Sequence, residues 1–225
     1  MPRCLQACEL QEGSAGALLP CLAFGRTMQP HRTPTNPWKL IQEQTVFDCQ
    51  YFTTRSDLVS HGGKPVRPYN HFRMKYDGVA VLPIDDNGNT TLIGQHRFVL
   101  RRFTWEGVGG GSPRGTPTVQ SAQAELKEEA GMQAKHWLKI FEGSVSPGMT
   151  DEMSTGYVAW GIETGAPAPD PEETLEHRQV SFADAVGMVL SGEIGNLPSM
   201  ALILAVDVRR RRRELPEALL TLLAI

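Results

Sequence analysis

Glu125, Glu128 and Glu129 stand three and four residues apart. In an α-helix that spacing puts all three carboxylates on one face, within an arc of roughly 100°. Like charges so placed repel one another, and Lys127, between them in sequence, falls on the far side and cannot neutralise them. The arrangement makes chemical sense if a hard divalent cation sits against it: Mg²⁺ takes carboxylate oxygens and keeps several waters for substrate phosphates, and Mn²⁺ shares that ligand preference. The plainer alternative is a solvated acidic face, since paired glutamates are common on helices. Immediately upstream are Gly107, Gly109, Gly110, Gly111 and Gly115, residues that let a backbone approach a ligand closely. A second acidic cluster, Asp170, Glu172, Glu173 and Glu176, surrounds Pro171 further along the chain.

These residues need elements to hold them. Thr116 followed by Pro117 reads as a helix N-cap and first helical residue, and Gly131 as a C-terminal stop, which predicts a helix over residues 117–130. Val119, Leu126 and Ala130 fall beside the acidic face and should bury against a sheet. Strand signals lie at residues 44–52, 78–84 and 90–95, the last two joined by a turn at Asp85-Asp86-Asn87-Gly88-Asn89, and again at 139–145 and 156–162. Residues 60–65 form a turn. Further helices are expected over 181–191 and from Ser199 into the run Arg209–Arg213. This order predicts an α/β fold, with helices covering a mixed sheet. His96 and His136 lack partners at metal-ligand spacing and read as structural or surface residues. Trp105 reads as core or rim, with base stacking the lesser alternative.

The chain has 225 residues, 40% hydrophobic and 21% charged, an ordinary globular composition. With 22 Lys and Arg against 25 Asp and Glu, its net charge is −3. That balance argues against a general nucleic-acid or membrane-surface binder, and no apolar run is long enough for a membrane span. The Arg run reads either as a phosphate patch or as a solvated, dipole-compatible helix end. Cys4, Cys8, Cys21 and Cys49 cannot cross-link the body of a fold and lack zinc spacing, so free thiols in a reducing, cytoplasmic setting are expected. Residues 1–36, with four prolines and no periodicity, read as a disordered tail, and Met28 is an alternative start. The expected organisation is this tail, an N-terminal antiparallel β region at 37–76, a catalytic domain at 77–208, and the Arg run with an apolar C-terminal segment at 209–225.

Taken together, the glycine loop and capped acidic helix resemble the box of the Nudix hydrolase family. In that box a Gly is followed after five residues by Glu, and after seven more by Arg-Glu-apolar-x-Glu-Glu-x-Gly-apolar. With Gly110 at the first position, Glu125, Leu126, Glu128, Glu129, Gly131 and Met132 fall on theirs. Thr116 replaces the first Glu and Ala124 the Arg that helps orient the catalytic carboxylates. Gln95-His96-Arg97 resembles the family's Gln-Tyr-Arg step, and Trp105-Glu106-Gly107-Val108-Gly109-Gly110 its Trp-Glu-x-Pro-Ala-Gly-Gly stretch. Ser146-Pro147-Gly148-Met149-Thr150-Asp151-Glu152 is similar to a loop of the ADP-ribose pyrophosphatase branch, whose marker proline Pro147 matches.

The resemblance implies an α/β/α sandwich and a metal-dependent hydrolase cleaving the pyrophosphate of a nucleoside diphosphate-sugar, with ADP-ribose favoured, to a nucleoside monophosphate and a sugar phosphate. It implies Mg²⁺, or Mn²⁺, held by Glu125, Glu128, Glu129 and the carbonyl of Gly109. Arg97, Glu106, Pro147 and Glu152 would bind substrate. Glu129 would also be catalytic, with Glu173, and Glu172 second, as general base. A homodimer built through the N-terminal β region is implied too. The alternative is a Nudix-fold nucleotide-sugar binding or regulatory protein with weak or no catalysis, favoured by Thr116 and Ala124 and opposed by the three retained glutamates.

Overall fold

The computed structural model describes residues 34–168 and 174–224. The expectations about the tail before residue 34, Met28, Cys4, Cys8 and Cys21 therefore lie outside the described residues, as do Glu172 and Glu173.

An N-terminal antiparallel sheet comes first. Its strands are β1 (Trp38–Gln42), β2 (Thr45–Asp48), β3 (Phe52–His61) and β4 (Arg67–Met74). Long β3 is central: β1 and β2 share one edge of it and β4 takes the other. The single strand expected over 44–52 is thus a hairpin, its turn closed by the Cys49 N–H donating to the Phe52 carbonyl (3.0 Å). Buried Asp57 binds the β strands together, accepting from the Gln44 N–H, Arg55 and His71.

The second sheet is mixed and seven-stranded. It contains β5 (Tyr76–Ile84), β6 (Asn89–Arg97), β7 (Arg102–Glu106), β8 (Gly111–Pro113), β9 (Met132–Ser144), β10 (Met153–Thr164) and β11 (Glu176–Ser181). The order is β11-β6-β5-β10-β9, with β7 on β6, β8 on β5, and only β5–β10 parallel. Strand β5 is buried on both faces, as its unbroken apolar run requires. Val79 and Val81 face one side with Leu126 and Trp137; Ala80, Leu82 and Ile84 face the other with Leu202 and Ile203.

Helix α1 (Thr118–Ala130) covers the first face. Helices α2 (Phe182–Ser191), α3 (Leu197–Arg211) and α4 (Glu217–Leu222) cover the other. The expected α/β/α sandwich with a mixed sheet and a small antiparallel sheet is the fold observed. Two helix starts differ from expectation. Pro117, not Thr116, is the N-cap of α1, and no side chain caps it. Helix α3 starts before Ser199, because Asn196 accepts the Ser199 N–H (3.0 Å) and Pro198 fits the first turn.

The Arg run is a structural tie. Arg209 donates to the Ile140 carbonyl (2.8 Å), Arg210 to the Leu223 carbonyl (3.0 Å), and Arg210 and Arg211 both pair with Asp207. These bonds fasten α3 to β9 and to the C-terminal segment, whose Leu215, Leu219 and Leu223 lie in the core. Among the described residues, no helix is long and apolar enough to cross a membrane.

Candidate active site

Strands β5 and β6 pair at one register position, Ile84 with Thr90, next to their turn. The turn is held by Asp85, whose carboxylate accepts the N–H groups of Asn87 and Asn89 (2.8 Å each). Beyond it the edge of β5 is taken over by the glycine segment. Val81 N–H donates to the Val108 carbonyl (2.7 Å), Val79 N–H to the Gly110 carbonyl (2.9 Å), and Gly78 pairs with Gly111 in β8. A Cβ on Gly109 would stand 2.2 Å from the Val79 carbonyl oxygen, so only glycine lets this backbone lie so close.

Helix α1 brings its carboxylates to the same segment. A Cβ on Gly110 would meet Glu125 Oε1 at 2.1 Å, so the Glu125 carboxylate rests where a side chain would otherwise be. Glu129, 3% exposed, accepts the Gly109 N–H at 2.9 Å. The helix is fixed at its end by Gly131 in the left-handed conformation (φ 63°), and inward by Leu126. The three glutamates are not equivalent, as the helix spacing alone suggested. Glu129 is buried, Glu125 half-buried and Glu128 exposed. Among the described residues, no three His, Cys, Asp or Glu side chains converge closely enough to hold a metal alone.

A cavity of about 280 Å³ opens beside the glycine segment, between the start of β5 and the start of α3. Gly109 and Gly110 line it together with Arg97, Glu106, Glu152 and Asn196. Arg97 Nε and Nη2 donate to Glu106 Oε1 and Oε2 at 2.8 and 2.6 Å, a bidentate pair. Glu106 is buried whereas the Arg97 side chain is 40% exposed, so the acid orients the guanidinium at the cavity wall. Burial, then the charge of Asp77, raise the Glu152 pKa above the ordinary value, against the opposing charge of Arg114.

The structure therefore brings Gly109, Glu125, Glu129, Arg97, Glu106 and Glu152 to one place. Glu128 lies on the same helix turn and is exposed. Pro147 is not with them: it lines a separate cavity, of about 400 Å³, with Trp38, Tyr69 and His71 of the N-terminal sheet. The loop between β9 and β10 explains the separation. The Tyr69 hydroxyl donates to the Gly148 carbonyl and the Phe72 N–H to the Met149 carbonyl, which holds residues 147–149 toward that sheet. His136 stacks on Trp160 and His96 packs edge-on against Phe103, as structural histidines. Trp105 packs against Phe103 and the core.

Four contributors were not read from the sequence. His177 Nε2 lies 2.7 Å from the Glu129 carbonyl, and the Ala168 N–H donates to the Glu128 carbonyl (2.9 Å). Both described flanks of the acidic segment thus fasten to the last turn of α1, where helix carbonyls lack internal partners. Ser199 accepts the Gly107 N–H (2.9 Å), tying the start of α3 to the glycine segment; the Asn-x-Pro-Ser pattern at 196–199 was the available signal. Arg114 joins Asp77 and Asp151, and nothing in its local spacing announces it.

The chain is similar to curated proteins over most of its length. It is 33% identical over 175 residues to an ADP-ribose pyrophosphatase of Mycobacterium tuberculosis, covering 75% of this chain and 83% of the relative. It is 32% identical over 165 residues to an ADP-ribose pyrophosphatase of Bacillus subtilis, covering 69% and 88% respectively. A CMP-5'-(N-acetyl-N-hydroxy-3-aminopropyl)phosphonate hydrolase of Streptomyces rubellomurinus is 28% identical over 153 residues, covering 67% and 72%. Among solved structures, an ADP compounds hydrolase superposes with a TM-score of 0.72 at 17% identity, over 81% of this chain and 98% of that one. No protein-family profile matches the chain.

The raised Glu152 pKa has a consequence for stability. Below the unfolded-state value the carboxyl is protonated in both states and costs nothing. As pH rises through the unfolded and then the folded value, the native state is penalised for ionising it. Glu152→Gln is therefore expected to raise the thermal midpoint at pH 7, with the gain vanishing near pH 4. A lowered midpoint at pH 7 would contradict the burial argument.

Proposed function

We propose, for a chain that belongs to the ADP-ribose pyrophosphatase branch of the Nudix hydrolase family, that ADP-ribose is the substrate and that a divalent cation, Mg²⁺ with Mn²⁺ as a substitute, completes the site. The chain is an enzyme of the nucleotide-sugar pyrophosphatase class. The observation that carries the finer reading is the docking of Glu125 and Glu129 on Gly109 and Gly110, which themselves line the cavity.

The donor chemistry fits a hard cation. All the groups offered are oxygens: the carboxylates of Glu125, Glu128 and Glu129 and the carbonyl of Gly109. Mg²⁺ is usually held by one or two carboxylates plus water and substrate phosphate, so the lack of a tight three-carboxylate cluster does not count against it. When bound, such an ion neutralises pyrophosphate charge and acidifies a water. Arg97, oriented by Glu106, holds a phosphate as a planar donor. Glu152, which lines the same cavity, is a further substrate-binding group. Glu173, with Glu172 as second choice, takes the proton from the attacking water; the anchoring of Ala168 and His177 on the last turn of α1 supports that assignment. The products are AMP and ribose 5-phosphate.

A homodimer through the N-terminal sheet is supported by its exposed apolar side chains, Leu40, Ile41, Val46, Phe47 and Tyr51. Sedimentation as a monomer at micromolar concentration would contradict it. A cytoplasmic location rests on cysteine usage alone; Cys49 is free, with its thiol donating to the Phe52 carbonyl.

The test is a panel of ADP-ribose, GDP-mannose, NADH and diadenosine polyphosphates with Mg²⁺, assayed for released monophosphate. ADP-ribose is expected to give the highest kcat/KM. Glu173→Gln is expected to lower kcat about 10²–10⁴-fold with little change in KM. A preference for GDP-mannose would move the substrate, near-wild-type turnover in the variant would move the base, and silence across the panel would overturn the reading.

A further inference from the structure

We propose that Arg114 is a positioning residue of the cavity, holding Asp77 and Asp151 so that the residues after them, Gly78 and Glu152, keep their places in the cavity wall. The proposal rests on the reading of this cavity as the nucleotide-sugar site.

Arg114 follows β8, just past the glycines on which Glu125 and Glu129 dock. It does not line the cavity. Its guanidinium instead spans two strand starts. Nη1 pairs with Asp151 Oδ2 at 2.9 Å, Nη2 donates to the Asp151 carbonyl at 2.7 Å, and Nη2 and Nε reach Asp77 Oδ1 at 3.1 and 3.3 Å. Each carboxylate carries a second tie. Asp77 Oδ1 accepts the Met153 N–H (3.2 Å), which sets the parallel register of β5 and β10 where Gly78 meets Ser154. Asp151 Oδ1 accepts the Met74 N–H (2.8 Å), which fastens the loop to the N-terminal sheet. The Arg114 N–H donates to the Lys75 carbonyl (3.2 Å). The glycine segment, β5, the 146–152 loop and the end of the N-terminal sheet are therefore tied together around Arg114 and its two acids.

Gly78 and Glu152 are next in sequence to the two clamped acids, and both line the cavity. A Cβ on Gly78 would stand 3.8 Å from Glu152 Oε1, so the carboxylate lies over that glycine. Only a planar fork with several donors bridges two carboxylates and a carbonyl at once; a lysine offers a point charge. The same stretch reaches α1 through Ser121, whose hydroxyl donates to Ser112 (2.8 Å), and through the Gly109 N–H on Glu129. Arg114 supplies the fixed point.

The test compares the full-length wild type with Arg114→Ala, Arg114→Lys and Asp77→Asn, using steady-state kinetics on ADP-ribose and amide hydrogen exchange. Arg114→Ala is expected to raise KM about tenfold to a hundredfold with kcat changed far less. Arg114→Lys should recover some of that loss, and exchange should quicken within residues 76–80 and 145–153. Should Arg114→Ala fail to fold, Asp77→Asn carries the same expectation in milder form. Unchanged KM in the folded variants would overturn the proposal, as would faster exchange spread evenly over the chain. If the wild type turns over no sugar nucleotide, the functional reading fails separately. Exchange then decides the clamp by itself: local quickening upholds it, and no local quickening overturns it.

Discussion

Two neighbouring strands of the mixed sheet, β5 and β6, diverge after the single residue pair next to their turn, and the freed edge of β5 must find hydrogen-bond partners. Unpaired main-chain groups beside a buried core cost about 1–3 kcal/mol each. The glycine segment satisfies them, through Val81 with Val108 and Val79 with Gly110. It can do so only by lying closer to β5 than any side chain would permit at Gly109. The cavity lies against this wedge, walled by the start of β5, the glycine segment, Arg97 of β6, Glu152 and the start of α3.

That wedge also settles how negative charge is tolerated. Glu129 is buried, and a buried carboxylate needs hydrogen bonds; the wedge supplies the Gly109 N–H. Glu106 is buried too, and is held by the Arg97 fork. Glu152 shows no comparable hydrogen bond among the described residues, and burial with Asp77 nearby pushes its pKa upward. Charge is thus stored at the cavity in forms that hydrogen bonds, ion pairs or a bound cation can balance. A net charge of −3 said little about this, because the acidity that matters is gathered around one cavity from β7, the loop before β10 and one turn of α1.

Much of this was legible in the sequence because the signals are local. The turn at Asp85–Asn89, the stop at Gly131 and the 3.6-residue placement of Leu126 beside the glutamates depend on neighbours in the chain, and the structure has all three. The hairpin at 45–55 was missed because its turn residues, Cys49, Gln50 and Tyr51, carry no turn chemistry. The unequal burial of Glu125, Glu128 and Glu129 was illegible because it depends on where the glycine segment lies. Pro147 was assigned with the substrate groups by resemblance, yet tertiary ties to Tyr69 and Phe72 carry its loop toward the other sheet. Arg114, Asp77 and Asp151 come from three distant segments, so no window of sequence contains their contact.

In the proposed mechanism a carboxylate seated on a glycine helps hold the cation, and Gly110→Ala would displace that carboxylate. Gly110 is not among the glycines with positive φ, so alanine suits its backbone. The three heavy atoms nearest the added methyl all belong to the flexible end of Glu125. Gly110→Ala is expected to bind Mg²⁺ more weakly by calorimetry, by about tenfold or more, with a kcat on ADP-ribose lowered about a hundredfold and the thermal midpoint little changed. Unaltered Mg²⁺ affinity and turnover in a folded Gly110→Ala protein would contradict that mechanism.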